Sequence, residues 1–184
     1  MRVRLKILAD RLMSRLKLVL SAGLAGALLA GCSTAPELLP PSEQPLTAET
    51  ISLLGKKGMS TAAPIFVRIF KEESELEVWK MRDDGRFYHF KTYPICNWSG
   101  ELGPKQAQGD KQAPEGFYTI SQNQMNPNSK FYLAFNIGYP NAYDRALGRT
   151  GEALMVHGKC KSAGCYAMTD ALAEEIYALA RDAF

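Results

Sequence analysis

The sequence predicts a mainly β domain with flanking helices, and three observations support that fold class. First, runs rich in β-branched and aromatic residues lie close together at 64–70, 76–81 and 86–95. Second, Asp84-Gly85 separates the last two runs and is a strong hairpin signal, so the three runs predict an antiparallel meander. Third, helical periodicity is clear only just before this meander and at the C-terminal end.

The two helices have recognisable start signals. Thr47 is a suitable N-cap for a helix over residues 48–58, with Ile51, Leu53 and Leu54 facing inward. Thr169 precedes a second helix. Its apolar face is predicted to contain Leu172, Ile176, Leu179 and Ala183.

The region between the meander and the last helix predicts shorter strands and a long loop. The strands are expected at 116–120, 130–139 and 153–156, with turns at 126–129 and 140–144. Residues 97–116 are rich in Gly, Pro and polar side chains. A loop of that length inside a domain usually has a function or is mobile.

The N-terminal 31 residues predict a signal peptide for a bacterial lipoprotein. Basic residues precede Leu18–Ala30, an apolar run of 13 residues. Such a run is too short for a membrane span, which needs about 20 residues, and suits a signal peptide. It ends in Leu29-Ala30-Gly31-Cys32, which resembles a lipobox with Cys32 as the acylated residue. An ordinary signal peptide that contains a cysteine is the alternative.

This segment also predicts where the protein resides. Lipidation at Cys32 implies a lipid-anchored protein of the bacterial cell envelope that faces the periplasm. Ser33 follows the cysteine. By resemblance to enteric sorting rules, that residue favours the outer membrane. Residues 32–46 hold four prolines and predict an extended tether, so the domain itself is expected at 47–184.

The charge balance excludes one class of partner. Residues 1–31 contain six Lys/Arg and one Asp, whereas the remaining 153 residues contain 16 Lys/Arg and 18 Asp/Glu. The mature chain therefore has no basic excess. This argues against nucleic acid as its main partner.

A cysteine and histidine cluster at 155–168 predicts the reactive site. His157 ends a predicted strand, and Gly164-Cys165 follows eight residues after the histidine. A thiol with a pKa of about 8.5 needs a partner base to react near neutral pH. A glycine before the nucleophile allows backbone N–H groups to approach the reacting carbonyl as an oxyanion hole.

Three other interpretations of this cluster stay open on the residues alone. His157, Cys160 and Cys165 could bind zinc, although their spacing lacks a second ligand pair. Cys160 and Cys165 could form a disulfide, since export leads to an oxidising compartment. Either cysteine could also be a small buried apolar residue.

The cluster resembles the active-site motif of the L,D-transpeptidase catalytic domain (YkuD-type) family. That motif is His-Gly, a spacer, and then Ser/Thr-His-Gly-Cys; here His157-Gly158 and Ser162–Cys165 take these places. The short spacer and Ala163, in place of the second histidine, resemble the YafK-like branch of murein L,D-transpeptidases/amidases. Similar blocks at 100–120, 126–151 and 155–170 extend the resemblance over 64–184.

The resemblance implies an L,D-transpeptidase-type β-sandwich with its C-terminal helix after the catalytic cysteine. It implies acyl transfer on diaminopimelate-containing peptidoglycan stem peptides through a Cys165 thioester, with His157 as the base. The N–H groups of Cys165 and Gly164 would form the oxyanion hole, and Ser162 would orient the site. No metal or cofactor is implied, and a carbapenem is expected to form an adduct with Cys165.

The resemblance also sets expectations for substrate and partners. Lys105, Asp110 and Arg149 would hold the carboxylates and free amine of the peptide, although Asp110 could equally be a turn former. The branch is associated with cutting the bond between wall peptide and an attached lipoprotein. The resemblance therefore allows hydrolysis as well as crosslinking as the reaction. A wall-linked lipoprotein is a further expected partner. The alternative function is a non-catalytic, peptidoglycan-binding lipoprotein tether.

Two smaller expectations complete the site. If Cys165 must stay free, Cys96 and Cys160 are left over and could form a disulfide, with Cys160 and Cys165 as the competing pair. His89 lies on an early predicted strand. It is expected to be a half-exposed strand residue without a catalytic role.

Overall fold

A computed structural model describes residues 39–184, which form one folded unit. The predicted signal peptide, Cys32 and the first part of the predicted tether lie outside the described residues. Within residues 39–184, no helix has both the length and the apolar character needed to cross a membrane.

The last part of the predicted tether packs against the C-terminal helix. Pro41–Glu43 form a 3-10 helix. The guanidinium of Arg181 donates to the carbonyls of Ser42 and Gln44 at 2.8 and 3.0 Å, and Leu46 is buried. Ordered structure therefore extends before residue 47, where the sequence predicts the start of the domain.

The first sheet is the predicted meander. It consists of β1 (Ile65–Phe70), β2 (Glu75–Met81) and β3 (Phe87–Pro94), paired antiparallel in that order. Gly85 adopts a φ of 75° in the β2–β3 turn, a conformation that glycine tolerates without strain. Alternation along β2 buries Leu76 and Val78 against the core.

The second sheet carries the reactive cluster. It consists of β4 (Met125–Ser129), β5 (Tyr132–Asn136), β6 (Met155–His157) and β7 (Tyr166–Ala167), in that order. The first three strands are antiparallel, whereas β6 and β7 are parallel. Phe135 and Val156 from this sheet join the hydrophobic core.

Three helices accompany the sheets: α1 (Ala48–Lys56), α2 (Ala142–Ala146) and α3 (Asp170–Arg181). The predicted caps are present, because Thr47 Oγ1 accepts from Thr50 N–H and Thr169 Oγ1 accepts from Leu172 N–H. Ile51 was expected to face inward and is exposed instead. The two sheets and their flanking helices confirm the predicted architecture of a β domain with helices, in a mixed α/β arrangement.

Two predicted turns are regular elements. Residues 126–129 belong to β4, where Pro127 is tolerated because β4 is an edge strand and needs no N–H there. Residues 140–144 contain the start of α2. Asn141 caps α2 by accepting from Asp144 N–H, while Asp144 accepts from Asn141 N–H in return.

Two predicted strands differ from the structure. The strand expected at 130–139 is limited to Tyr132–Asn136. Residues 116–120 form no strand. No other segment within residues 39–184 forms backbone hydrogen bonds with them. Strand-like composition alone does not supply a pairing partner.

Candidate active site

The pairing of β6 with β7 brings together the segments that carry His157 and Cys165. His157 is in register with Ala167, and Val156 is in register with Tyr166. Cys165 directly precedes β7, so the same pairing brings the chain at Cys165 alongside β6, which ends in His157. Val156 and Tyr166 are buried.

A disulfide holds the loop between His157 and Cys165. Cys96 and Cys160 are bonded, with their Cα atoms 5.2 Å apart, and Cys165 is free. This is one of the two pairings that the sequence left open. It also excludes the alternative bridge between Cys160 and Cys165 and removes Cys160 as a thiolate ligand for zinc.

Backbone hydrogen bonds fix both ends of this bridge. Cys96 N–H donates to Ala167 O at 3.0 Å, and Ala167 N–H donates to Asn97 O at 2.8 Å. Cys160 N–H donates to Met168 O at 3.1 Å. The bridge therefore ties the reactive loop to the strand that follows Cys165.

His157 has a defined tautomer. Its side chain is 3% exposed, and its Nδ1 lies 2.6 Å from Gly158 O. Since a carbonyl oxygen only accepts, Nδ1 carries the hydrogen and Nε2 keeps a lone pair. Burial lowers the pKa of His157, and the bond to Gly158 O opposes this only in part. The ring is neutral at neutral pH and can act as a base.

Cys165 is a protonated thiol in the resting site. Burial raises its pKa, while the N–H of Met155 and the charge of Lys105 lower it by less. The thiol is half-buried and points its hydrogen at Ala153 O, 3.7 Å away, rather than at His157. A neutral thiol beside a neutral imidazole requires proton transfer before attack, not a preformed ion pair.

Ser162 organises the backbone around the nucleophile. Its hydroxyl donates to Cys165 O at 2.7 Å and accepts from Gly164 N–H at 3.2 Å. The N–H of Gly164 is therefore occupied, and its expected share in an oxyanion hole has no support in these contacts. The N–H of Cys165 has no hydrogen-bond partner within residues 39–184.

Sequence reasoning missed Ser99, which supports this arrangement from a second loop. Its Oγ lies 3.1 Å from Ser162 Oγ and donates to Lys111 O at 2.7 Å. Ser99 lies in a loop rich in Gly and Pro, and its sequence context holds no signal for this contact.

Lys105 and Asp110, two of the expected substrate contacts, bind each other. The ammonium of Lys105 is almost fully buried and donates to Asp110 Oδ1 and to Ala107 O. Asp110 also accepts three backbone N–H groups, from Gln106, Ala107 and Gln112. Although burial raises the pKa of Asp110, these donors and Lys105 hold it well below its usual range. These contacts shape the loop, and direct peptide binding by either residue stays a prediction.

Arg149, the third expected contact, pairs with a carboxylate that sequence reasoning missed. Its Nη1 lies 2.8 Å from Asp144 Oδ1, and Asp144 is 1% exposed. Tyr118 donates to the other oxygen of Asp144 at 3.1 Å. One sequence signal could have located Asp144: it lies three residues after Asn141, the spacing of a helix capping box. His89 lies exposed on β3 against Thr92 Oγ1, apart from this cluster.

Comparison with known proteins agrees with this fold and motif. Residues 65–183 match the YkuD family model, described as the L,D-transpeptidase catalytic domain. The chain therefore belongs to this family, whose members are peptidoglycan-modifying L,D-transpeptidases.

Two relatives place the chain within the family. Over 115 residues, it is 50% identical to YafK of Escherichia coli (strain K12), which carries a provisional L,D-transpeptidase name. The match covers 62% of this chain and 46% of YafK, so the chain spans about half the length of that relative. The same identity holds for YafK of Escherichia coli O157:H7.

A solved structure shares the fold. The helical cell shape determining protein Pgp2 from Campylobacter jejuni matches with a TM-score of 0.53 and 24% identity. The match covers 72% of this chain and 52% of Pgp2.

Proposed function

We propose that this protein is a cysteine acyltransferase that acts on diaminopimelate-containing stem peptides of peptidoglycan. The observation that carries the proposal is the parallel pairing of β6, which ends in the neutral ring of His157, with β7, which directly follows the free thiol of Cys165. Family membership supports the peptidoglycan substrate at the level of class.

The first half-reaction forms a thioester. His157 Nε2 takes the Cys165 proton, and the thiolate attacks the carbonyl attached to the L-centre of diaminopimelate. The negative oxygen of the tetrahedral intermediate accepts from the free N–H of Cys165. The intermediate collapses, the C–N bond breaks, and the proton on His157 passes to the leaving amine.

The second half-reaction releases the acyl group. An amine that attacks the thioester gives a new amide, either a crosslink or a protein attachment. Water gives a free carboxylate, which corresponds to removal of an attached lipoprotein from the wall peptide. In both routes His157 takes the proton of the attacking group, and Cys165 leaves as a thiol.

The direct test is adduct formation with a carbapenem, which mimics an acyl donor. Intact-mass measurement should show one added drug molecule on the wild-type chain and none on Cys165→Ala. His89→Ala is the matched control, since it truncates an exposed side chain on β3 and leaves the nucleophile and the bridge intact. An adduct on Cys165→Ala would overturn the assignment, and no adduct on any chain would favour the non-catalytic tether.

The proposed location rests on the sequence of residues 29–32. We propose that Cys32 is acylated and anchors the protein to the periplasmic side of the bacterial envelope, with the outer membrane favoured by Ser33. Cys32→Ser should move the protein from the membrane fraction to the soluble fraction. A mature N-terminus at a residue other than Cys32 would contradict this proposal.

A further inference from the structure

An apolar groove runs along the outer edge of β1, and we name it the β1 groove. Its volume is about 950 Å³, and every residue of β1 lines it. The opposite wall is the segment Phe117–Ile120. Its base includes Phe135, Ile137, Val156 and Tyr166, and neither His157 nor Cys165 lines it. The groove is thus separate from the active site.

The outer edge of β1 presents unpaired backbone groups to this groove. Within residues 39–184, β1 pairs only with β2. Met81 N–H donates to Pro64 O, so positions of even number in β1 exchange hydrogen bonds with β2. Because this pattern alternates along an antiparallel strand, the N–H and C=O groups of Ile65, Val67 and Ile69 point away from β2.

The backbone of the opposite wall also forms few hydrogen bonds. Within the part of the chain that the structure describes, the backbone of Phe117–Ile120 accepts one hydrogen bond, from Asn141 Nδ2 to Phe117 O. The Phe117 side chain is 89% exposed, and Phe66 on β1 is 42% exposed. Two unpaired walls and an apolar base are typical of a site that accepts an added strand.

We propose that the β1 groove binds one extended strand of a separate polypeptide, which adds to the free edge of β1. Its backbone bonds to Ile65, Val67 and Ile69, and its alternate side chains are apolar and cover the base. A lysine or arginine suits the end beside Glu72 and Glu73, whose carboxylates form no ion pair within residues 39–184.

The segment Ser33–Leu38, just before the described residues, is a poor source for this strand, because Pro36 lacks the N–H that strand pairing needs. A second copy of β1 fits no better. Its Ile65, Val67 and Ile69 side chains already pack against their own core, so they cannot cover the base of another groove.

The test uses the full-length chain in mild detergent and a fluorescein-labelled peptide, Lys-Val-Thr-Val-Thr-Val-Lys, with blocked ends. Fluorescence anisotropy measures binding. The matched control peptide has proline in place of the central valine and so cannot complete the strand pairing. The chain variant Val67→Pro removes an outward N–H and leaves the bonds to β2, while Val67→Thr keeps that N–H.

The proposal predicts saturable binding of the valine peptide to the wild-type chain and to Val67→Thr. Val67→Pro and the proline peptide should each weaken binding about tenfold or more. Equal binding of both peptides, or equal binding by Val67→Pro, would overturn strand addition. The proposal would also be overturned if two copies of the protein dimerised through this groove, or if residues 1–38 already filled it.

Hydrogen exchange gives a second measurement that requires no variant. Binding of the valine peptide should slow exchange in fragments covering 64–70 and 117–120, and leave 96–100 unchanged. Unchanged exchange at 64–70 with bound peptide would overturn the proposal. Because Cys165 is not involved, Cys165→Ala should bind the peptide like wild type, which keeps this test independent of the proposed catalysis.

Discussion

Removal of the bridge between Cys96 and Cys160 should cost the domain much of its stability. The two residues are 64 positions apart, and chain entropy assigns about 4 kcal/mol to a closed loop of that size. The double variant Cys96→Ser/Cys160→Ser avoids a single leftover thiol that could pair with Cys165. For a domain of this size, the melting temperature should fall by roughly 10 °C.

Urea denaturation at 25 °C without reductant measures this loss, with circular dichroism as the signal. Cys165→Ser is the matched control, because it removes a thiol outside the bridge, and its unfolding free energy should stay close to that of wild type. A double variant within about 0.5 kcal/mol of wild type would refute the reasoning, since surface changes alone have effects of that size. Peptide mapping that shows Cys160 bonded to Cys165 would also refute it.

Further predictions concern the base, the loop serine and the buried ion pair. Burial lowers the pKa of His157, so the acid limb of the carbapenem acylation rate should have its midpoint below about 6.5, the value of a free histidine; a midpoint above that value would contradict this. His157→Ala should lose orders of magnitude at pH 7 and recover only above pH 9, because burial raises the pKa of the Cys165 thiol. Ser162→Ala should slow acylation about tenfold, in line with one lost hydrogen bond, while Ser162→Thr keeps most of the rate. The pKa of Asp110 is lower in the folded state than in the unfolded state. Ionised Asp110 therefore stabilises the folded state fully above the unfolded-state pKa of about 3.9, and this stabilisation is lost as the pH falls through the folded-state pKa. Asp110→Asn should therefore be less stable than wild type at pH 7 in urea denaturation, and the gap should narrow at pH 3.

The sequence was sufficient for elements that local signals define. The Asp84-Gly85 turn, the alternation along β2 and the caps Thr47 and Thr169 each act over a few residues, and the structure has all of them. The strand at 126–129 was missed because Asn and Pro favour turns locally. Its pairing with β5 decides the conformation, and that is a tertiary contact.

The candidate site also combines features that local sequence signals predict with features that depend on tertiary contacts. The motif located His157 and Cys165 in the sequence, but only the pairing of β6 with β7 brings their two segments side by side. Lys105 and Asp110 were expected to face a substrate as separate charges. In the structure they neutralise each other, because burial of either charge alone would be costly. No local pattern in the sequence reveals such a pairing.

The most direct measurement of the central claim is isolation of the acyl-enzyme. The full-length chain would be mixed with a diaminopimelate-containing muropeptide, quenched in acid within seconds, digested and analysed by mass spectrometry. The account predicts the mass of the acyl group on the fragment that contains Cys165, removable by hydroxylamine as expected for a thioester, and absent from Cys165→Ala. An acyl group on any other residue, or wild-type turnover by Cys165→Ala, would contradict the account.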